Sequence, residues 1–181
     1  MRIILTLLFV ISVGSSHAQV GITFPDMEAE TLTNKMVTIP EHTNGKYSLI
    51  SLAYSKKSEG YLSTWFQPIY QHFIYKSEQP SLFSIDYDIN VYFVPMFTGA
   101  KRPAYQKVMK KVQKTVDPKL QPHVLFYKGT INEYKKSLNF QGKDVPYFFL
   151  LDPEGKIVYT TAGKYGERKM REIIDKIDAS F

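Results

Sequence analysis

Apolar positions along the chain follow two rhythms, and each change of rhythm marks an element. Residues 47–54, Tyr-Ser-Leu-Ile-Ser-Leu-Ala-Tyr, form an almost unbroken β-capable run. Such a run predicts a strand buried on both faces. The period then lengthens, because Leu62, Trp65, Phe66, Ile69, Phe73 and Ile74 fall at helical spacing. Pro68 lies inside that stretch, where it removes a backbone donor and crowds the preceding turn, so a kink is expected. Residues 89–97 predict a second core strand, ended by Thr98-Gly99. Residues 101–116 predict a helix with Tyr105, Val108, Met109 and Val112 on its inward face. A short strand at 123–127 closes at Gly129, and 131–138 reads as a short helix. Residues 145–151 form another strand. Asp152-Pro153-Glu154-Gly155 is a tight turn, with Pro pre-setting φ and Gly closing it. Its antiparallel partner is 156–161. A terminal helix over 166–177 turns Met170, Ile173, Ile174 and Ile177 inward. Nearer the start, Phe24-Pro25 is extended, residues 36–39 are a short strand and Asn44-Gly45 is a turn.

Strands alternating with helices predict an α/β sheet. The order is β-α-β, a connection, then β-β-α. No internal repeat or low-complexity linker interrupts it, so one domain over 19–181 is expected.

The first 18 residues follow a different pattern. Met1-Arg2 is a minimal positive end, residues 3–13 are apolar apart from Thr6 and Ser12, and Gly14-Ser15-Ser16-His17-Ala18 is small. Ser16 and Ala18 suit the −3 and −1 positions of a cleavage site, with Gln19 as the new terminus. This is the tripartite form of a secretory signal peptide. An apolar run of 11 residues is too short for a bilayer core that needs about 20. No Cys follows, so no lipid anchor is expected, and no other stretch reaches transmembrane length. Cleavage leaves 163 residues and, with Arg2 gone, lowers the formal charge from +6 to +5. The expected location is periplasmic or secreted.

Composition adds one strong exclusion. The 181 residues are 44% hydrophobic and 22% charged, an ordinary globular mix. Cysteine is absent altogether. That excludes disulfides, thiolate nucleophiles, CxxC redox pairs and cysteine-ligated metals.

Three places in the chain resemble the thioredoxin-like superfamily. The strand at 47–54 runs through Ser55-Lys56-Lys57-Ser58 into a Pro-containing helix, the junction that carries the redox cysteines in thioredoxins and peroxiredoxin-type proteins. Val145-Pro146 before a strand resembles the family's cis-proline. Residues 148–159 are similar to the hairpin segment of thiol-disulfide interchange and peroxiredoxin-like domains. The resemblance implies a central mixed sheet with a C-terminal β-hairpin and helices on both faces. A weaker similarity is to the thioredoxin-like assembly factors of the mitochondrial ATP synthase. It rests on Ser51-Leu52-Ala53-Tyr54-Ser55, on Trp65 followed by Pro68, and on the Lys-rich helix. A secretory leader is not organelle-type targeting, so this similarity carries the fold and not the mitochondrial role.

On that alignment Ser stands at both cysteine positions. Thiol-disulfide exchange needs a thiolate attacking sulfur, so thiol redox activity is excluded. Ser55 and Ser58 then read as helix caps; the alternative is a serine nucleophile, which needs a base nearby. The family's groove beside Val145, Pro146 and Tyr147 becomes a candidate binding surface, with Tyr54, Tyr61 and Trp65 as candidate binding aromatics. Asp144 is the acid closest to it in sequence. Asp152 and Glu154 read as turn residues.

His42, His72 and His123 share no metal-ligand spacing, and Asp86 and Asp88 read as solvated loop acids. No metal or other cofactor is expected, and no phosphate loop, dinucleotide fingerprint or GxSxG elbow occurs. Lys107, Lys110, Lys111 and Lys114 make a basic stripe that suits an anionic surface or simply faces solvent. No nucleic-acid motif accompanies it. The expected function is therefore a non-catalytic, exported module that binds another envelope or secreted protein in assembly or as a chaperone. The alternatives are a Ser-based hydrolase and an inactive peroxiredoxin-like partner of an active paralogue.

Overall fold

The computed structural model describes residues 19–76 and 86–179. The expected leader, with its expected cleavage site at Ala18, lies outside them. The strands are β1 (Met27–Thr31), β2 (Met36–Ile39), β3 (Ser48–Ala53), β4 (Asn90–Thr98), β5 (Leu125–Gly129), β6 (Tyr147–Leu151) and β7 (Ile157–Ala162). The helices are α1 (Lys56–Ile69), α2 (Tyr105–Thr115), α3 (Asn132–Ser137) and α4 (Glu167–Asp178). The strands form one mixed sheet of order β2-β1-β5-β4-β3-β6-β7.

β3 is the centre. Its six residues are all buried, as the continuous apolar run predicts. It pairs in parallel with β4 and antiparallel with β6. On one face Ile50 and Leu52 join Val94, Met96, Phe149 and Leu151, and α3 covers them with Tyr134 and Leu138. On the other face Leu49 and Ala53 join Val91, Phe93, Phe148 and Leu150 under α1 and α4. α2 lies on that second face too, seated by Tyr105 and Met109 on Phe97 and Phe126. The alternation of neighbours along each strand is the period of 2 that divides a sheet into two faces.

The α/β architecture and the C-terminal hairpin agree with the sequence reading. In the hairpin turn Asp152 Oδ1 accepts the amides of Glu154 (3.0 Å) and Lys156 (2.8 Å). Gly155 has φ +78°, and a Cβ there would meet Pro40 Cβ at 2.6 Å, so the turn requires glycine. Four boundaries move. β1 was not expected, because Met27 and Ala29 are the only apolar residues of its inward face before Thr31. α2 begins at Tyr105 rather than 101, because residues 99–104 form a 3-10 turn around Pro103. β5 begins at Leu125; His123 ends a separate turn, its Nδ1 3.0 Å from the Val91 carbonyl. After Pro68 the helix does not simply kink. It widens into a π turn over Tyr70–Ile74, with the Tyr75 amide donating to the Tyr70 carbonyl at 2.7 Å. A proline inside a helix leaves one carbonyl unpaired, and widening of the next turn re-registers the bonds.

Trp65 is the single tryptophan and is wholly buried against Phe148, with ring centroids 4.2 Å apart. Its fluorescence is expected to be blue-shifted, to resist acrylamide quenching and to red-shift on unfolding. Trp65→Ala should cost about 3–5 kcal/mol in urea unfolding. Native emission at the wavelength of free tryptophan would refute this packing.

Candidate functional site

The β3–α1 junction is where the thioredoxin pattern places its chemistry. Here it is a reciprocal cap. Ser55, the N-cap of α1, is extended (φ −136°, ψ 158°). Its Oγ accepts the Ser58 amide at 2.9 Å, and Ser58 Oγ accepts the Ser55 amide at 2.9 Å. Ser58 Oγ in turn donates to the Ser55 carbonyl at 2.8 Å. Both hydroxyls are committed to backbone, and among the described residues no imidazole or carboxylate hydrogen-bonds to either. Ser58 is fully buried. The arrangement is a capping box, not an activated nucleophile. Lys56 and Lys57 occupy the exposed first turn.

Beside Pro146 the chain's own aromatics pack on one another, and a cavity of about 300 Å³ lined by Gly142, Val145 and Tyr147 lies next to them. The Val145–Pro146 bond is not cis; among the described residues the cis bond is Ile39–Pro40. Pro146 is buried, and Val145 is half-buried. The Phe140 ring stacks between Tyr54 (centroids 5.5 Å apart) and Tyr147 (4.3 Å). Both tyrosine hydroxyls donate to the Gly142 carbonyl at 2.8 Å, and Tyr147 Oη also accepts the Gly142 amide at 2.7 Å. Burial, then Tyr147 and Asp144 nearby, push the Tyr54 phenol up to about 12. Tyr54 and Tyr147 are therefore sealing residues, each 8% exposed.

Trp65 is no binding aromatic either, since its ring is core and its Nε1 donates to the Gly163 carbonyl at 2.9 Å. Tyr61 alone of the three remains at the surface, half-buried, with Lys164 Nζ 4.9 Å from its ring centre. Asp86 and Asp88 are exposed and pair with Lys76 and Lys46. Among the described residues no cluster of three or more His, Asp or Glu could hold a metal.

The open apolar surface lies elsewhere. Between α1 and α2 the helical layer leaves a groove of about 540 Å³. Its floor is sheet: Phe93, Pro95 and Phe97 of β4, with Val124 and Phe126. Leu62 and Phe66 of α1 form one wall, and Ala104, Val108, Val112 and Val116 form the other. Phe66 is 40% exposed and meets Phe93 edge-on. Pro95 has no N–H to offer β5, and the β4–β5 ladder runs only from Met96 onward, with an isolated bridge at Phe93–Val124. At one mouth stand Lys56, Glu59 and Lys101; Lys101 Nζ donates to the Tyr54 carbonyl at 3.1 Å and lies 4.0 Å from Glu59 Oε1.

Sequence reasoning missed this groove because it placed Val108 and Val112 inward with Tyr105 and Met109. The first pair is only half-buried while the second is buried. The basic stripe stands on the outer side of the same helix, with Lys107, Lys110, Lys111 and Lys114 exposed.

A family model described as ATP10 protein matches residues 14–177. The chain belongs to this family. No curated protein matches it. Among solved structures, BsSco, a member of the Sco family of cytochrome c oxidase assembly proteins, is similar at 14% identity. The match covers 87% of this chain and 92% of that one, with a TM-score of 0.56. Thio-disulfide isomerase from Thermus thermophilus is 14% identical, covering 86% and 94%, with a TM-score of 0.52. Yeast Sco1 is 17% identical, covering 88% and 96%, with a TM-score of 0.50. These similarities establish the thioredoxin-like fold. This ATP10 family member has hydroxyls, and no thiol, at the junction.

Two measurements check the site. Ser58→Ala should destabilise the protein by about 1 kcal/mol in urea titration, the worth of a cap; no change would mean the cap is not formed. The raised Tyr54 pKa makes a signed pH prediction. The folded state holds that proton more tightly than the unfolded chain, whose phenols titrate near 10. The stability this contributes is complete below about pH 10 and falls as pH rises through about 12. Tyr54→Phe should flatten part of that alkaline decline; an unchanged slope would contradict the assignment.

Proposed function

We propose that this protein is an exported, assembly-type module that binds a client polypeptide in the α1–α2 groove and carries out no thiol or hydrolytic chemistry. The observation that carries this reading is the groove itself, an apolar trough left open beside a capped, thiol-free junction. Exposed apolar surface of this extent on a soluble domain marks an interaction site. Membership of the ATP10 family supports an assembly role. The secretory pattern of residues 1–18 supports delivery to the periplasm or beyond, where the client would be an envelope or secreted protein. Among the described residues no helix is long and apolar enough to cross a membrane. A serine hydrolase finds no support, because among the described residues neither candidate hydroxyl is hydrogen-bonded to a base.

Photo-crosslinking tests the reading. A benzophenone side chain is placed at Val112 in the groove, and in a second strain at Lys35, which is exposed in the β1–β2 turn. Both full-length chains are expressed in the source cells, with the wild-type chain's location and N-terminus read by fractionation and mass spectrometry. A discrete protein adduct is expected at 112 and not at 35. It should vanish when Val108→Asp is added, a half-exposed change that should leave the melting temperature within a few degrees. Equal adducts at both positions, or an adduct indifferent to Val108→Asp, would overturn the groove as the client site. A chain retained in the cytoplasm with residues 1–18 intact would overturn export.

A further inference from the structure

We infer that the groove's occupant is an amphipathic helix of a partner protein whose apolar stripe is flanked by carboxylates. The inference rests on the reading that the groove binds a client polypeptide. Shape is the first argument. The trough runs along α2, whose 11 residues span about 16 Å. That length accommodates apolar anchors over three helical turns, in the helix-in-groove mode of recognition. The trough is open on its solvent side, where Phe66 is 40% exposed. A helix would cover that opening with its own polar face, whereas a bare acyl chain would leave one side in water.

Charge is the second argument. At about 100° per residue, Lys111 lies about 60° from Val108 around α2, on the side away from the buried Tyr105 and Met109. Lys107 and Lys114 lie just beyond it. These three lysines and Lys56 enter no ion pair among the described residues. Glu59 is the one acid lining the groove. The α2 rim is therefore a row of unpartnered ammonium groups beside an apolar trough. Its complement is a row of Glu or Asp beside an apolar stripe. The whole chain is basic, at +6, so a second copy is a poor occupant.

Synthetic peptides test this without knowledge of the natural client. Two fluorescent helical peptides of about 18 residues carry the same leucine stripe; one flanks it with Glu and the other with Lys. A fluorescent long-chain fatty acid is the third probe. Anisotropy titrations use the purified wild-type chain, Val108→Asp and a Lys107→Glu/Lys111→Glu double variant. The Glu peptide should bind roughly threefold to tenfold tighter than the Lys peptide, the scale of two exposed charge pairs. Added salt should erase the preference, and the double variant should reverse it. Val108→Asp should weaken both peptides. Equal affinity for the two peptides, with both still lost in Val108→Asp, would overturn the acidic-helix inference and leave the client-binding groove standing. Binding of the fatty acid alone would overturn both.

Discussion

The fold depends on the burial of β3 on both faces. Its ladder to β4 and β6 fixes the middle of the sheet, and neither face can be left to water, because all six residues are buried. Helices must therefore cover both sides. α3 and the chain before β3 close one face, while α1, α4 and α2 close the other. Three helices share seven strands on that second face, and their spacing follows from what seats them. α1 is held by Leu62, Trp65 and Ile69, and α2 by Tyr105 and Met109. The α1 seat lies over β6 and the first half of β4, and the α2 seat over β5 and the far end of β4, so the layer is not continuous between them. The groove is a consequence of where the anchors lie.

The same strand delivers the chain to the junction, and the local chemistry there is conservative of structure and empty of reactivity. A helix start leaves free amides that need acceptors. Ser55 and Ser58 supply them reciprocally. On the far side, Phe140 packs between Tyr54 and Tyr147, and the Gly142 carbonyl collects both hydroxyls. A site that exchanges disulfides must admit a partner's sulfur to its own. This junction presents hydroxyls bonded to their own backbone and an adjoining wall of stacked rings.

Legibility in the sequence followed the density of the apolar signal. β3, β6 and the terminal helix were readable because their patterns are dense: Phe148, Phe149, Leu150 and Leu151 in one strand, and Met170, Ile173 and Ile177 at helical spacing in another segment. β1 was not readable, since Met27 and Ala29 alternate with Glu28 and Glu30 in a run of only five residues and its stability comes from pairing with β2 and β5. The capping role of Ser55 was legible because it is local, set by residues three apart. The burial of Trp65 and Tyr54 was legible from their apolar positions, but the state of Pro146 and the partners that hold those two rings, Gly163 and Phe140 among them, were not, because they lie far away in sequence. A groove between two helices is the extreme case. It exists only as the absence of a neighbour, and periodicity cannot distinguish a valine that faces a core from one that faces a gap.

The lysines of α2 bear on why such a gap is tolerable. An apolar trough carries a free-energy cost in water proportional to its area, and in a crowded compartment it invites self-association. Lys107, Lys111 and Lys114 along one rim oppose the approach of another copy of this basic chain by like-charge repulsion, while leaving the trough accessible to an acid-bearing one. On the proposed reading, a row of lysines on the α2 rim, set against the single acid Glu59 on the facing α1 wall, is what makes the groove selective rather than merely sticky.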